Sequence, residues 1–185
     1  AWLEYQPEED DVVIVLDPGM AFGTGYHPTT RMFLTLLESH VSPRLTVLDL
    51  GTGSGVLAIA CAKLGASHVL GLDVEEQAIR AARANVRLNG LGKKVKAYRG
   101  TLPFSGRGIV SRHSFDMVLA NISSKIVIEK AKHLMDALKP GGTLIAGGFI
   151  QEHKGDVLTT LEDANAILKE ELNEDDWVTY VMNKI

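Results

Sequence analysis

Gly51, Gly53 and Gly55 fall within five residues, directly after the apolar run "TVLDL" (46–50) and directly before another that begins at Val56. Glycines at this density let a backbone close on a ligand without side-chain interference. A helix opening immediately afterwards presents unpaired N–H groups to that ligand. Asp73 lies 20 residues beyond Gly53, where a carboxylate can accept two hydrogen bonds from a ribose diol. Counted from Gly53, the positions Gly53, Gly55 and Ala58 satisfy G-x-G-x-x-G/A, a dinucleotide spacing. Counted from Gly51, the same residues read D-x-G-x-G-x-G, led by Asp49. Spacing alone leaves both readings open. Asp73 is also placed to cap the helix that begins near Glu75, and the two roles are compatible.

Asn121 is the second chemical candidate. It ends the strand-like run "FDMVLAN" (115–121), although Asn is poor in strands. It either caps the next helix or offers a polar group at the strand's carboxyl end. The third is "DPGMAFGTGYHPTTR" (17–31), a breaker-rich loop with an apolar centre. Thr101 and Leu102 follow the third strand, where they can line a base pocket. The six histidines and Cys61 show no metal-ligand spacing. Cys61, on an apolar helix, reads as core. His27, just before Pro28, reads as a turn residue more readily than as a base. The basic stretch "RGTLPFSGRGIVSRHS" reads as a solvated loop.

These groups need a scaffold, and the patterning supplies one. Strands are expected at 12–16, 46–50, 68–73, 94–98, 115–121, 143–148, 166–172 and 176–183. Helices are expected at 28–40, 54–64, 75–88, 122–138 and 156–163, with "KPGG" stopping the fourth. The alternation implies an α/β fold with a Rossmann-like, mainly parallel seven-stranded sheet in its core and helices on both faces. Only "NEDD" separates the last two strands, which predicts an antiparallel C-terminal hairpin. Ligands of such sheets bind at the carboxyl ends of the strands.

The chain's 185 residues, 45% of them apolar, suffice for one domain with a full core. No run is long and apolar enough to span a bilayer, so no membrane partner is expected. A single cysteine suits the reducing cytoplasm. The net charge of −4 argues against a surface built to hold nucleic-acid phosphates, and it suits a basic protein partner.

The D-x-G-x-G-x-G run resembles the first motif of class I S-adenosylmethionine-dependent methyltransferases. With the opening loop, Asp73 and "ANI" (120–122), the chain resembles one family among them: the methyltransferase of ribosomal large-subunit protein eleven. That family's catalytic domain carries D-P-G-x-A-F-G-T-G-x-H-P-T-T, matched here by residues 17–30. "WLEYQP" and "DDWVTYVM" resemble its flanks, so the likeness runs nearly end to end. The resemblance implies transfer of methyl groups from S-adenosylmethionine to lysine ε-amines and the terminal α-amine of a ribosomal large-subunit protein. It implies cofactor contacts at Thr30, Asp49, Gly51, Asp73 and Asn121, with Gly53 and Gly55 in the turn and Phe22, Gly23, Thr24 and Gly25 in the covering loop. Asn121 would then be catalytic: its side-chain oxygen and a nearby carbonyl would accept hydrogen bonds from the amine and aim its lone pair. Residues 1–30 would form an N-terminal strand and covering loop, and 31–185 the core. The family's amino-terminal recognition domain is not matched, so the chain is expected to be either an excised catalytic domain, which the start at "AWLEY" favours, or a shorter relative that methylates another protein or a small molecule. Tyr26 stands where Thr is common and Ser123 where Leu is common.

Overall fold

The computed structural model of the protein describes residues 6, 8–17, 25–103 and 114–185. Seven strands form one sheet in the order β3-β2-β1-β4-β5-β7-β6. They are β1 (Thr46–Leu50), β2 (His68–Asp73), β3 (Val95–Arg99), β4 (Phe115–Asn121), β5 (Leu138–Ile150), β6 (Ala166–Glu174) and β7 (Trp177–Lys184). The first five run parallel; β7 pairs antiparallel with both β5 and β6. The strand order reverses between β1 and β4, so the crevice for a ligand opens at their carboxyl ends.

Helices α1 (Pro28–His40), α2 (Val56–Lys63) and α3 (Glu76–Leu88) cover one face, and α4 (Ser124–Ala137) and α5 (Lys154–Asp163) the other. A 3-10 turn, Gln151–His153, precedes α5. Strands buried on both faces read as continuous apolar runs rather than alternating ones, and β1 and β4 are of that kind. On the first face Val47, Met117, Leu119, Ile145 and Val181 meet Phe33, Leu37 and Ile59. On the other, Leu48, Val118 and Leu144 meet Val127, Leu134 and Val157. Among the described residues no helix is long and apolar enough to cross a membrane.

Two sequence expectations are corrected. Residues 12–16 form no strand. Val12, Val13 and Val15 are exposed, and the backbone of 15–17 bonds to side-chain amides on α3 and at its C-cap instead of to a neighbouring strand. Asn89 accepts from the Val15 N–H at 3.1 Å and donates to the Val15 carbonyl at 2.7 Å. Asn85 accepts from the Asp17 N–H at 2.9 Å. An asparagine amide offers the same donor and acceptor as a peptide group, so two of them, one helical turn apart, take over the pairing a strand would need. The second correction concerns "KPGG". The turn exists, but as a bulge within β5, which begins at Leu138 rather than at residue 143. Phe115 pairs with Leu138 and Met117 with Thr143, so four residues bow out between them. Buried Leu138 secures the early start.

A second bulge lies at the carboxyl end of β5, between Gly147 and Phe149. Gly148 sits there at φ 92, and a Cβ on it would stand 2.6 Å from the Ile122 carbonyl oxygen. Gly141 in the first bulge has φ 73 but nothing within 4 Å. Gly148→Ala is therefore expected to destabilise the protein by about 2 kcal/mol or more, and Gly141→Ala by only about 1 kcal/mol. Urea unfolding of both variants checks the ordering.

Candidate active site

The glycine turn is built by conformations only glycine adopts cheaply. Gly51, Gly53 and Gly55 have φ values of 76, 53 and 84. The Gly51 and Thr52 N–H groups donate to the Leu72 carbonyl at 2.8 and 3.0 Å, which holds the turn against the end of β2. A Cβ at Gly51 would stand 2.4 Å from Ile122 Cγ2, and one at Gly55 3.2 Å from the Ala82 backbone. These glycines thus serve packing as well as access. Helix α2 starts at Val56 behind its N-cap Gly55, without a side-chain cap.

Asp73 joins the turn to the next helix. Its Oδ2 accepts from the Gly53 N–H and its Oδ1 from the Glu75 N–H, both at 3.0 Å. A carboxylate has about four acceptor positions, so two remain for a diol. The carboxylate is half-buried at the carboxyl end of β2, facing the crevice side of the turn. Asp73 does not cap α3, a role the sequence allowed: Glu75 is the N-cap, and the Asp73 bond to the Glu75 N–H lies just before the helix.

Asp49 lies deeper, only 1% exposed, and Thr52 Oγ1 donates to its Oδ2 at 2.7 Å. Its place beneath the turn is that of a support, fixing Thr52 and, through the Ala58 N–H, the start of α2. Burial pushes its carboxyl up from 3.8 to about 6; the bonds from Thr52 and Ala58 pull the other way, and the Asp73 charge adds to the rise.

Asn121 ends β4 level with this turn, since Leu50 pairs with Ala120. It does not cap α4; Ser123 holds that position, with β-region backbone and its carbonyl accepting from Val127 N–H. Alternation along β4 puts Asn121 on the face of Met117 and Leu119, the side of α1. Its neighbour in register is Gly147. A Cβ at Gly147 would stand 2.7 Å from Phe33 Cε2, so α1 comes close to the sheet just beside Asn121. Thr30, one turn before Phe33, is buried at this end of α1.

The remaining sequence candidates are distributed unevenly. Leu102 is 3% exposed and packs with Leu50 and Leu72 in the core. Thr101, half-buried, stands just beyond β3. Phe22, Gly23 and Thr24 lie outside the described residues. The segments on either side of them are anchored on opposite flanks of the crevice. Residues 15–17 are held on α3 by Asn85 and Asn89. At the other end, Arg31 donates to the Tyr26 carbonyl and pairs with Glu174, and the His27 ring meets Trp177 edge-on at 4.7 Å. His27 is the N-cap of α1, its Nδ1 accepting from the Thr29 N–H. The Tyr26 side chain is 84% exposed, and nothing in the structure explains it.

Two contributors, Asn85 and Thr52, escaped the sequence reading, and a third, Ile122, entered it only as part of "ANI" (120–122). Asn85, 1% exposed, holds both Asp17 and the Ser54 carbonyl, the latter at 2.8 Å. Its signal was available: a polar residue on the apolar stripe of α3, among Ile79, Ala82 and Val86. Thr52 and Ile122 carried no such mark, because their roles arise only when β1, β2 and β4 come together.

A carboxyl raised in the folded state lends stability that is complete below its ordinary value and is lost as pH rises through the folded one. For Asp49 that window runs from 3.8 to about 6. Between about pH 5 and about pH 7.5 it should cost roughly 1–2 kcal/mol. Asp49→Asn, compared with the parent in urea at both pH values, is expected to remove that share of the slope.

The whole chain, residues 1–185, matches the family model described as ribosomal protein L11 methyltransferase (PrmA). The ribosomal protein L11 methyltransferase of Chloroflexus aurantiacus is 43% identical over 98% of this chain and 61% of its own length. That of Halalkalibacterium halodurans is 43% identical over 97% of this chain and 56% of its own. The chain therefore spans about three fifths of the length of the curated relatives it matches. A crystal structure of a ribosomal protein L11 methylase from Lactobacillus delbrueckii subsp. bulgaricus superimposes with a TM-score of 0.85 and 31% identity, covering 100% of this chain and 92% of that one. The sheet order, the glycine turn and these similarities agree: the chain belongs to the ribosomal protein L11 methyltransferase family.

Proposed function

We propose that this protein binds S-adenosylmethionine in the β1–β4 crevice and that methyl groups pass from it to amino groups of ribosomal protein L11, at lysine ε-amines and the terminal α-amine. The cytoplasm is the setting proposed for it. The observation that carries the reading is the placement of Asn121 at the mouth of the crevice, level with the glycine turn and across from Asp73. The residues fit the cofactor. The turn's two side chains, Thr52 and Ser54, are buried and do not obstruct a nucleoside, Asp73 has acceptor positions left for a ribose diol, and Asp49 and Asp73 make the site favourable for a cationic sulfonium. Family membership sets aside the dinucleotide reading of Gly53, Gly55 and Ala58. Ala58 is buried in α2 and its N–H serves Asp49.

S-adenosylmethionine supplies an electrophilic methyl group. This chain's residues have the task of positioning the amine and excluding water. A lysine amine of pKa about 10.4 costs roughly 4–5 kcal/mol to neutralise at pH 7, and desolvation beside a cation lowers that cost. Asn121 cannot take the proton, so the amine loses it to solvent before attack. The Asn121 side-chain oxygen then accepts a hydrogen bond from the neutral amine and directs its lone pair into the crevice. His27 is committed to capping α1.

Incubation with labelled S-adenosylmethionine and ribosomal protein L11 is expected to label L11. Asn121→Ala should lower kcat by roughly 10²-fold. S-adenosylhomocysteine binding without any label in L11 would refute the substrate assignment but leave the cofactor reading standing. Asp73→Asn removes the charge-assisted bonds to the ribose, about 1.5–3 kcal/mol each. It is expected to weaken S-adenosylhomocysteine by more than tenfold in calorimetry.

A further inference from the structure

The charge of this protein is segregated. Residues 80–99 hold seven of its 19 Lys and Arg and none of its 23 Asp and Glu. That span covers most of α3 and all of β3, the strand at one open edge of the sheet. Of the seven, only Arg80 has an ion pair among the described residues, with Glu76. The opposite edge is acidic: Glu170, Glu171 and Glu174 on β6 are followed by Asp175 and Asp176 in the hairpin turn. The net charge of −4 is thus an average over two unlike edges, and the argument it offers against phosphate binding does not apply to the α3–β3 side.

A groove of about 310 Å³ runs between α3 and β3, lined by Arg83, Arg87, Lys96 and Tyr98 over a floor that includes Val86 and Val95. Tyr98 is 38% exposed. The Arg83 guanidinium lies 5.8 Å from its ring centroid, held in place because Arg83 Nε donates to the Ala97 carbonyl at 2.9 Å. Lys96 is steadied in turn by the Gly92 carbonyl at 2.6 Å. An anchored arginine beside an exposed aromatic ring, in a groove of unpaired cations, is the arrangement that stacks a base while holding its phosphates. An acidic protein surface would use the cations but has no need of the ring. The groove is separate from the crevice: Val95 and Lys96 begin β3, whereas the strand's far end, Arg99, stands beside Asp73.

We infer that the α3–β3 groove binds single-stranded RNA, with Tyr98 and Arg83 as the stacking platform and Arg87 and Lys96 as phosphate contacts. This is a second binding function, independent of methyl transfer.

The test is fluorescence anisotropy of a short labelled oligouridylate. Binding is expected at about 50 mM salt and should weaken with salt at a log–log slope near −1.4, about −0.7 for each of the two phosphate contacts. Arg87→Glu with Lys96→Glu should reduce affinity at least tenfold and flatten the slope. Tyr98→Ala should reduce it by roughly fivefold or more at unchanged slope. Incorporation of labelled methyl groups should stay at the parent level in the double charge variant, which also shows that it is folded. If methyl transfer proves absent in the parent, an unchanged urea midpoint makes the same check. No binding at low salt, or undiminished binding by the charge variant, overturns the inference. So does polyglutamate binding as tight as RNA with Tyr98→Ala unaffected, which would mark an acidic protein as the partner.

Discussion

The site depends on the wedge formed by Ile122. This residue follows Asn121; its side chain fills the space that a side chain on Gly51 would occupy, and its backbone the space that one on Gly148 would occupy. Its N–H donates to the Gly147 carbonyl at 3.0 Å. One residue therefore brings three strand ends to a common level: the turn after β1, the end of β4 and the bulge of β5. Among the described residues Asn121 is aimed by that convergence and by no side-chain bond. Interiors are packed closely enough that a displacement of one of the three ends is felt by the others, so the crevice is as exact as the fit of this isoleucine.

Around that wedge the polar groups form two tiers. The lower is buried and structural, with Asp49 and Thr52 beneath the turn. The upper faces the crevice, with Asp73 holding the turn by one oxygen and the next helix by the other. Asn85 adds a third tie, linking the turn's Ser54 carbonyl to the backbone of Asp17. The opening loop and the glycine turn are thus braced by the same helix. The loop's other flank is fixed on the hairpin of β6 and β7 by Arg31 and His27.

Much of this was legible in the chain. Apolar runs at 46–50 and 115–121 are buried on both faces, so their composition names them as central strands. The five helices were legible because Pro28, Glu76 and the Ala-rich spacing of α3 are local signals. Residues 12–16 misled because the apolar run "VVIVL" has no sheet neighbour, the backbone at 15–17 bonding instead to asparagine amides some 70 residues away in sequence. "KPGG" misled because the buried Leu138 before it belongs to the strand rather than the helix. Of the site, Gly51, Gly53, Gly55, Asp73 and Asn121 announced themselves by type and spacing. Thr52, Asn85 and Ile122 act through contacts that exist only after β1, β2 and β4 have assembled. The basic edge was hidden by a total charge that summed it with the acidic one.

The order of the strands also bears on how the chain acquires its shape. β7 is the last strand in sequence, yet it lies between β5 and β6. During synthesis β6 therefore has no partner in the sheet, and β5 keeps an unpaired edge, until the residues of β7 have cleared the ribosome. The pairings that complete the sheet are among its latest, and until then two strands present open backbone to their surroundings.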